Sequence, residues 1–157
     1  MNRRGFLIAA VALPGATMFP EVLAQSEQKI THVDTKTGGA PLRSSVVKAE
    51  GIWPEGATPG AKAYVHFNGP TEQLSALASG LVTLEPEAQP HPPHRHPEEE
   101  IMIVGEGNGE FLTDGASAQV QTGDMVFAEA NVLHGVRNTG ETRMTFNFIK
   151  VLGKLAS

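Results

Sequence analysis

His94 and His96 stand two residues apart, Glu100 follows four residues later, and His134 lies far downstream in a short apolar run. Imidazole nitrogens and a carboxylate oxygen are the donors that a divalent first-row metal ion takes. Side chains of an extended chain alternate between two faces with period two. His94, His96 and Glu100 share parity, so an extended segment points all three to one side. Three ligands from one strand do not close a coordination sphere. His134, in the alternation Val132, His134, Val136, is placed to add a fourth from a neighbouring strand. A carboxylate buried beside neutral imidazoles is costly, and a cation supplies the missing charge. The four residues therefore predict a site for one divalent metal ion, with one or two positions open to water or substrate.

Several strands are needed to hold such a site. Residues 101–104 (Ile-Met-Ile-Val) read as a buried strand, with Met102 and Val104 continuing the ligand face as the floor of a pocket. Ile101 and Ile103 are also apolar, which predicts cover on both sides, from a second sheet or a partner subunit. Pro92-Pro93 stiffen the approach to His94. Further strands are expected at residues 45–48, 61–67, 81–84, 125–128, 132–138 and 142–152, while 74–78 is open between helix and strand. Residues 109–113 and 116–120 flank Asp114-Gly115, a strong two-residue hairpin signal. With 17 glycines and 11 prolines in 157 residues, short strands and tight turns suit the chain better than long helices. No internal repeat is visible, so the expectation is an all-β single domain built on one barrel.

Two segments carry a family resemblance. Residues 94–107 read His-x-His, three residues, Glu, six residues, Gly, and resemble the first cupin motif. Residues 123–138 read Gly, five residues, a turn, two residues, His, three residues, Asn, and resemble the second. The sequence departs from the pattern at Ala88, where the first motif has an upstream Gly, and at Glu129-Ala130-Asn131, where the second has Pro-x-Gly. The resemblance implies a jelly-roll β-barrel, a homodimer and a metal at the bottom of the barrel, held by His94, His96, Glu100 and His134. Thiol dioxygenases of this fold use three histidines without the glutamate, so Glu100 argues against that branch. Oxalate decarboxylase-like members are usually two-barrel chains, which disfavours oxalate.

Other residues read more plainly. His91 belongs to a Pro-rich loop and reads as solvated, His66 as a satisfied strand histidine, and His32 carries no signal. Glu98 shares ligand parity and could stand behind the ligands; Glu99 faces outward. Asn138 reads as holding a turn. Met144, Phe146 and Phe148 share one face of the last strand, as core or pocket wall, and Arg95 and Arg137 point outward.

The N-terminus bears on location. Arg3-Arg4-Gly5-Phe6-Leu7 resembles a twin-arginine export signal, and an ordinary secretory signal with two incidental arginines fits the same residues. The apolar run is broken by Pro14-Gly15, too short for the roughly 20 residues of a membrane span. Cleavage after Ala24 is expected, which divides the chain into a signal peptide at 1–24, a flexible arm at 25–44 and the barrel at 45–157. The processed protein would be periplasmic or secreted, with no stable membrane anchor. A net charge of -5 without a basic cluster argues against nucleic acid as partner. With no cysteine, thiolate ligands and thiol nucleophiles are excluded.

By intrinsic affinity copper or zinc would win such a site. Twin-arginine export carries folded proteins, so the metal would be loaded in the cytoplasm, where both are scarce. Manganese or iron is therefore favoured over zinc, nickel or copper. The open-sided site suits a small, partly apolar organic ligand that chelates the metal through oxygen. Two functions fit: a metal-dependent enzyme of dioxygenase or lyase type, and a non-catalytic periplasmic module that binds metal or small ligands. No catalytic acid, base or nucleophile can be named from the sequence.

Overall fold

The computed structural model describes residues 33–48 and 58–154. Its regular elements are eight strands: β1 (Ala61–Gly69), β2 (Leu74–Leu84), β3 (Glu99–Glu106), β4 (Asn108–Thr113), β5 (Ala116–Gln121), β6 (Met125–Ala128), β7 (His134–Arg137) and β8 (Met144–Gly153). They form two antiparallel sheets, one of five strands in the order β1-β2-β8-β3-β6 and one of three in the order β5-β4-β7. This is the all-β jelly roll expected. The expected signal at 1–24 and residues 25–32 of the arm, His32 among them, lie outside the described residues.

Period-two patterning places the core. On β8, Met144, Phe146, Phe148 and Lys150 are all buried, and the residues between them are more exposed. They pair across β2 with Leu84, Val82, Gly80 and Ala78, and Lys150, Phe148 and Phe146 pair across β3 with Glu100, Met102 and Val104. Directly paired residues share a face, so these positions form the inner wall. Phe111 and Val136, paired between β4 and β7, close the core from the three-stranded sheet. Residues 74–84, ambiguous in sequence, make one long strand because both flanking strands pair with it.

The Asp114-Gly115 hairpin forms as expected. Both residues have positive φ, 44° and 81°, the combination that matches the twist of a two-residue hairpin. Two turns show how the chain accommodates its departures from the cupin pattern. Asn131 takes the left-handed backbone (φ 62°) at the position where the motif has glycine, and asparagine is among the few residues that adopt it readily. Ala88 is buried and hydrogen-bonded through its N–H to the Glu85 carbonyl, and the left-handed residue of that loop is Glu87.

One expectation is corrected, and another, the cover over the outer face of β3, loses one of its two alternatives. Residues 45–48 form no strand: Val46 is 81% exposed, and a strand without a partner has nothing to receive its backbone hydrogen bonds. The outer face of β3 is not covered by a second sheet among the described residues. Ile101 and Ile103 are half-buried, flanked on β6 by Phe127 and Met125, which are 56% and 67% exposed. That face is an open apolar strip.

Asn138 does what its sequence position suggested. It is fully buried, donates from Nδ2 to the carbonyls of Leu84 and Thr142 at 3.0 and 2.8 Å, and accepts from the Gly140 N–H at 2.9 Å. It ties the end of β2 to the turn that leads into β8.

Candidate metal centre

Pro97 shapes the local chain. Having no N–H to give a ladder, it stops β3 at Glu99, so His94 and His96 precede the strand rather than lie on it. The uniformly extended segment assumed in the parity argument is therefore replaced by an irregular approach. His94 is held instead by a backbone pair with His134, His94 N–H to His134 O at 2.9 Å and the reverse at 3.0 Å. His96 is held by its carbonyl, which accepts from the Asn131 N–H at 2.8 Å. The chain thus touches the edge of the three-stranded sheet before entering the five-stranded one, and the site sits at that seam.

His94, His96 and His134 come together there, all buried, with candidate ligand atoms within 4.8 Å of one another. Such a group could hold a metal ion. Glu100 joins them: its Oε2 lies 2.9 Å from His96 Nε2 and 3.2 Å from His134 Nε2. The structure therefore brings all four predicted residues into one cluster.

The orientation of the rings is the decisive detail. His134 Nδ1 lies 2.8 Å from the Val132 carbonyl, and His96 Nδ1 lies 3.1 Å from the Glu98 carbonyl. A carbonyl only accepts, so each Nδ1 carries the proton and donates. In the neutral ring the Nε2 of each histidine is then a lone pair, and both lone pairs face the same carboxylate oxygen. That contact is repulsive unless a positive charge sits between the groups, either protons on the rings or a cation. Backbone or carboxylate anchors on the far ring nitrogen are how metal-ligating histidines are commonly oriented. The donor set and its anchoring fit a divalent metal.

Glu98 strengthens the arrangement. It is 5% exposed, its Oε2 lies 3.1 Å from His96 Nδ1, and the Thr35 hydroxyl donates to its Oε1. Its shared parity with the ligands had pointed to this role. Thr35 and Val33 belong to the segment read as a polar arm; Val33 packs on the core and its carbonyl accepts from Lys150 Nζ at 2.8 Å.

His94, Glu100 and His134 line a cavity of about 70 Å³ whose walls include Val82, Met102, Val136, Phe146 and Phe148. The apolar wall expected from the last strand is present. His91, read as a solvated loop residue, is half-buried; its ring meets that of His94 edge-on with centroids 4.1 Å apart, and it lines the cavity. Lys150, which the sequence reading passed over, is 4% exposed and lines the same space. Its signal was available: it continues the inward parity of Met144, Phe146 and Phe148. Arg95 and Arg137 are outward, bonded to the Asn131 carbonyl and to Glu87. His66 packs edge-on against Tyr64.

Charge interactions in the cluster have definite signs. Burial alone would push the Glu100 carboxyl up, but hydrogen bonds from His134 and His96 and the nearby Lys150 charge outweigh it and hold the group at about 2, from an ordinary 4.5. Burial would push His134 down; its bonds to Glu100 and to the Val132 carbonyl outweigh it and raise the imidazole above 6.5. In metal-free protein, the Glu100 contribution to stability is present above pH 4.5 and is lost as pH falls through about 2. The His134 contribution is present below pH 6.5 and is lost as pH rises through its raised value. Metal-free protein should therefore be most stable between these limits and melt earlier at pH 8. Metal competes with protons for the same nitrogens, so binding strengthens as pH rises. Thermal melts with and without manganese should show a metal-induced gain that grows from pH 6 to pH 8; a gain that shrinks over that range would contradict the site.

Comparison with known proteins agrees with this fold. Residues 80–150 match the family model of the cupin domain. An RmlC-like cupin from Shewanella frigidimarina superposes with TM-score 0.57 at 19% identity, covering 71% of this chain and 94% of that one. KdgF from a Halomonas species gives TM-score 0.57 at 20% identity, covering 69% and 94%. A predicted oxalate decarboxylase from Thermotoga maritima gives TM-score 0.52 at 24% identity, covering 69% and 99%. Comparison with curated sequences finds no match. Residues 80–150 are thus similar to the cupin domain, and the chain shares the jelly-roll fold of these structures, with a three-histidine group able to hold a metal ion.

Proposed function

We propose that this protein is an exported cupin metalloenzyme, of dioxygenase or lyase type, acting on a small organic substrate that chelates the metal through oxygen. His94, His96, Glu100 and His134 hold one divalent ion, manganese or iron. The observation that carries the reading is the pair of anchored rings, His96 and His134, whose Nε2 atoms converge on Glu100 at the wall of an apolar cavity. A metal bound there supplies Lewis acidity, and with iron or manganese also redox capacity. The chain's own part is to orient the rings through Val132 and Glu98, and to keep water from the reacting atoms with Val82, Phe146 and Phe148. Oxalate gains some ground from the comparison: the predicted oxalate decarboxylase from Thermotoga maritima is covered over 99% of its length by this one-barrel chain, so barrel number does not exclude it. The apolar wall still favours a larger, partly apolar ligand.

Export through a twin-arginine signal with cleavage after Ala24, and a periplasmic or secreted location, belong to the same proposal. So does a homodimer, supported by the open strip of Ile101, Ile103, Met125 and Phe127 on the outer sheet face. The test is turnover: metal-loaded protein is offered oxalate and enolic and phenolic acids while oxygen uptake and product formation are followed. Conversion of any of them supports an enzyme. Tight binding without conversion across the set favours a periplasmic binding module. One observation favours that second reading: apart from the ligands, only Lys62, His91 and Lys150 among the described residues bring titratable groups to the cavity wall.

A further inference from the structure

Lys150 is a buried cation with no part in the metal set, and its placement says what the cavity receives. It lies on the inner face of β8, paired with Glu100 on β3 and with Ala78 on β2. The small Ala78 leaves room on that side, and the neighbouring inward residues are Phe148 and Met102. An ammonium has three donors. One goes to the Val33 carbonyl at 2.8 Å, which is its hydrogen bond among the described residues. Two donors remain, Lys150 lines a cavity walled largely by apolar side chains, and a buried ammonium there is costly without negative charge nearby.

Glu98 and Glu100 are the buried carboxylates whose charges act on Lys150, with the exposed Asp34 beyond them. Two carboxylates and one ammonium leave the interior one negative charge in excess. Adding a divalent cation turns this into one positive charge in excess. The loaded cavity is therefore short of a single negative charge, with the cation and Lys150 lining the same apolar space.

We propose that Lys150 is a substrate-binding residue, and that the cavity takes a small monocarboxylate whose anionic group lies between the metal and Lys150 Nζ, its apolar part against Met102, Phe146 and Phe148. This rests on the metal site proposed above and narrows its ligand to an organic monoanion.

Isobutyrate and its neutral isostere isobutyramide separate charge from shape. Binding is read from paramagnetic relaxation of their methyl protons by manganese-loaded protein, without reference to turnover. Wild-type protein should bind the acid at least about ten-fold tighter than the amide, the size of effect expected of one charge-assisted contact. Lys150→Met should keep one manganese per chain and lose most of that preference, and Lys150→Arg should retain it. Equal binding of acid and amide by loaded wild-type protein overturns the inference, and needs no variant to fold. So does a Lys150→Met protein that loads metal and keeps the full preference. Wild-type protein that takes up no manganese overturns the metal site itself and this inference with it.

Discussion

Replacing His134 by alanine should lower metal affinity more than about 100-fold, since loss of an outer-shell partner alone costs about 10–100-fold. The ring is 2% exposed and is clamped on both nitrogens, with Nδ1 on Val132 and Nε2 facing Glu100. The backbone pair between residues 94 and 134 uses only main-chain atoms and survives the substitution. The variant therefore tests the ligand without removing the seam that positions His94. Titration with manganese, followed by calorimetry, is the measurement; wild-type affinity in the variant would remove His134 from the ligand set. The loss should be accompanied by disappearance of the metal-induced rise in melting temperature, because ligand binding to the folded state is what produces that rise.

Gly107→Ala should destabilise the protein by about 2–5 kcal/mol. Two costs add. Gly107 has φ +81°, where an L side chain costs roughly 1–2 kcal/mol. A Cβ there would also lie 2.6 Å from the Arg143 carbonyl oxygen and 3.0 Å from the Met144 Cα, and overpacking of this kind costs about 1–3 kcal/mol. The obstacles are backbone atoms, so no side-chain rotation relieves them. The strain falls on the link between β3 and β4 and on the start of β8, which carries Met144 into the core. Denaturant unfolding of the metal-free protein measures the effect, and a loss below about 1 kcal/mol would show that this turn can shift at little cost.

The closing glycine of the first motif was legible because its spacing from Glu100 is part of the pattern. The ligands were legible for the same reason, and parity placed His94, His96 and Glu100 together even though Pro97 keeps the first two out of β3. Convergence survived because the His94–His134 backbone pair does the work that a continuous strand was expected to do. The hairpin at Asp114-Gly115 was legible because its chemistry is local.

What escaped was non-local. Residues 45–48 have strand composition but no strand partner among the described residues, and pairing is not written in a four-residue run. Val33 and Thr35 look like an unremarkable polar lead-in, yet they supply a carbonyl to Lys150 and a hydroxyl to Glu98, contacts that exist only once the arm crosses the barrel. His91 looks solvated beside its prolines, and only the fold sets its ring against that of His94. Lys150 stood in plain alternation with Met144, Phe146 and Phe148; a lysine on the apolar parity of a central strand is itself a signal of a buried charge with a purpose.

The most direct test is metal analysis of the native protein recovered after export, followed by titration of the stripped protein with manganese and iron. One manganese or iron ion per chain, removable by a chelator and restored on titration, is the predicted result. Copper alone in the native protein would contradict the metal assignment, and protein that comes without metal and refuses both ions would contradict the site.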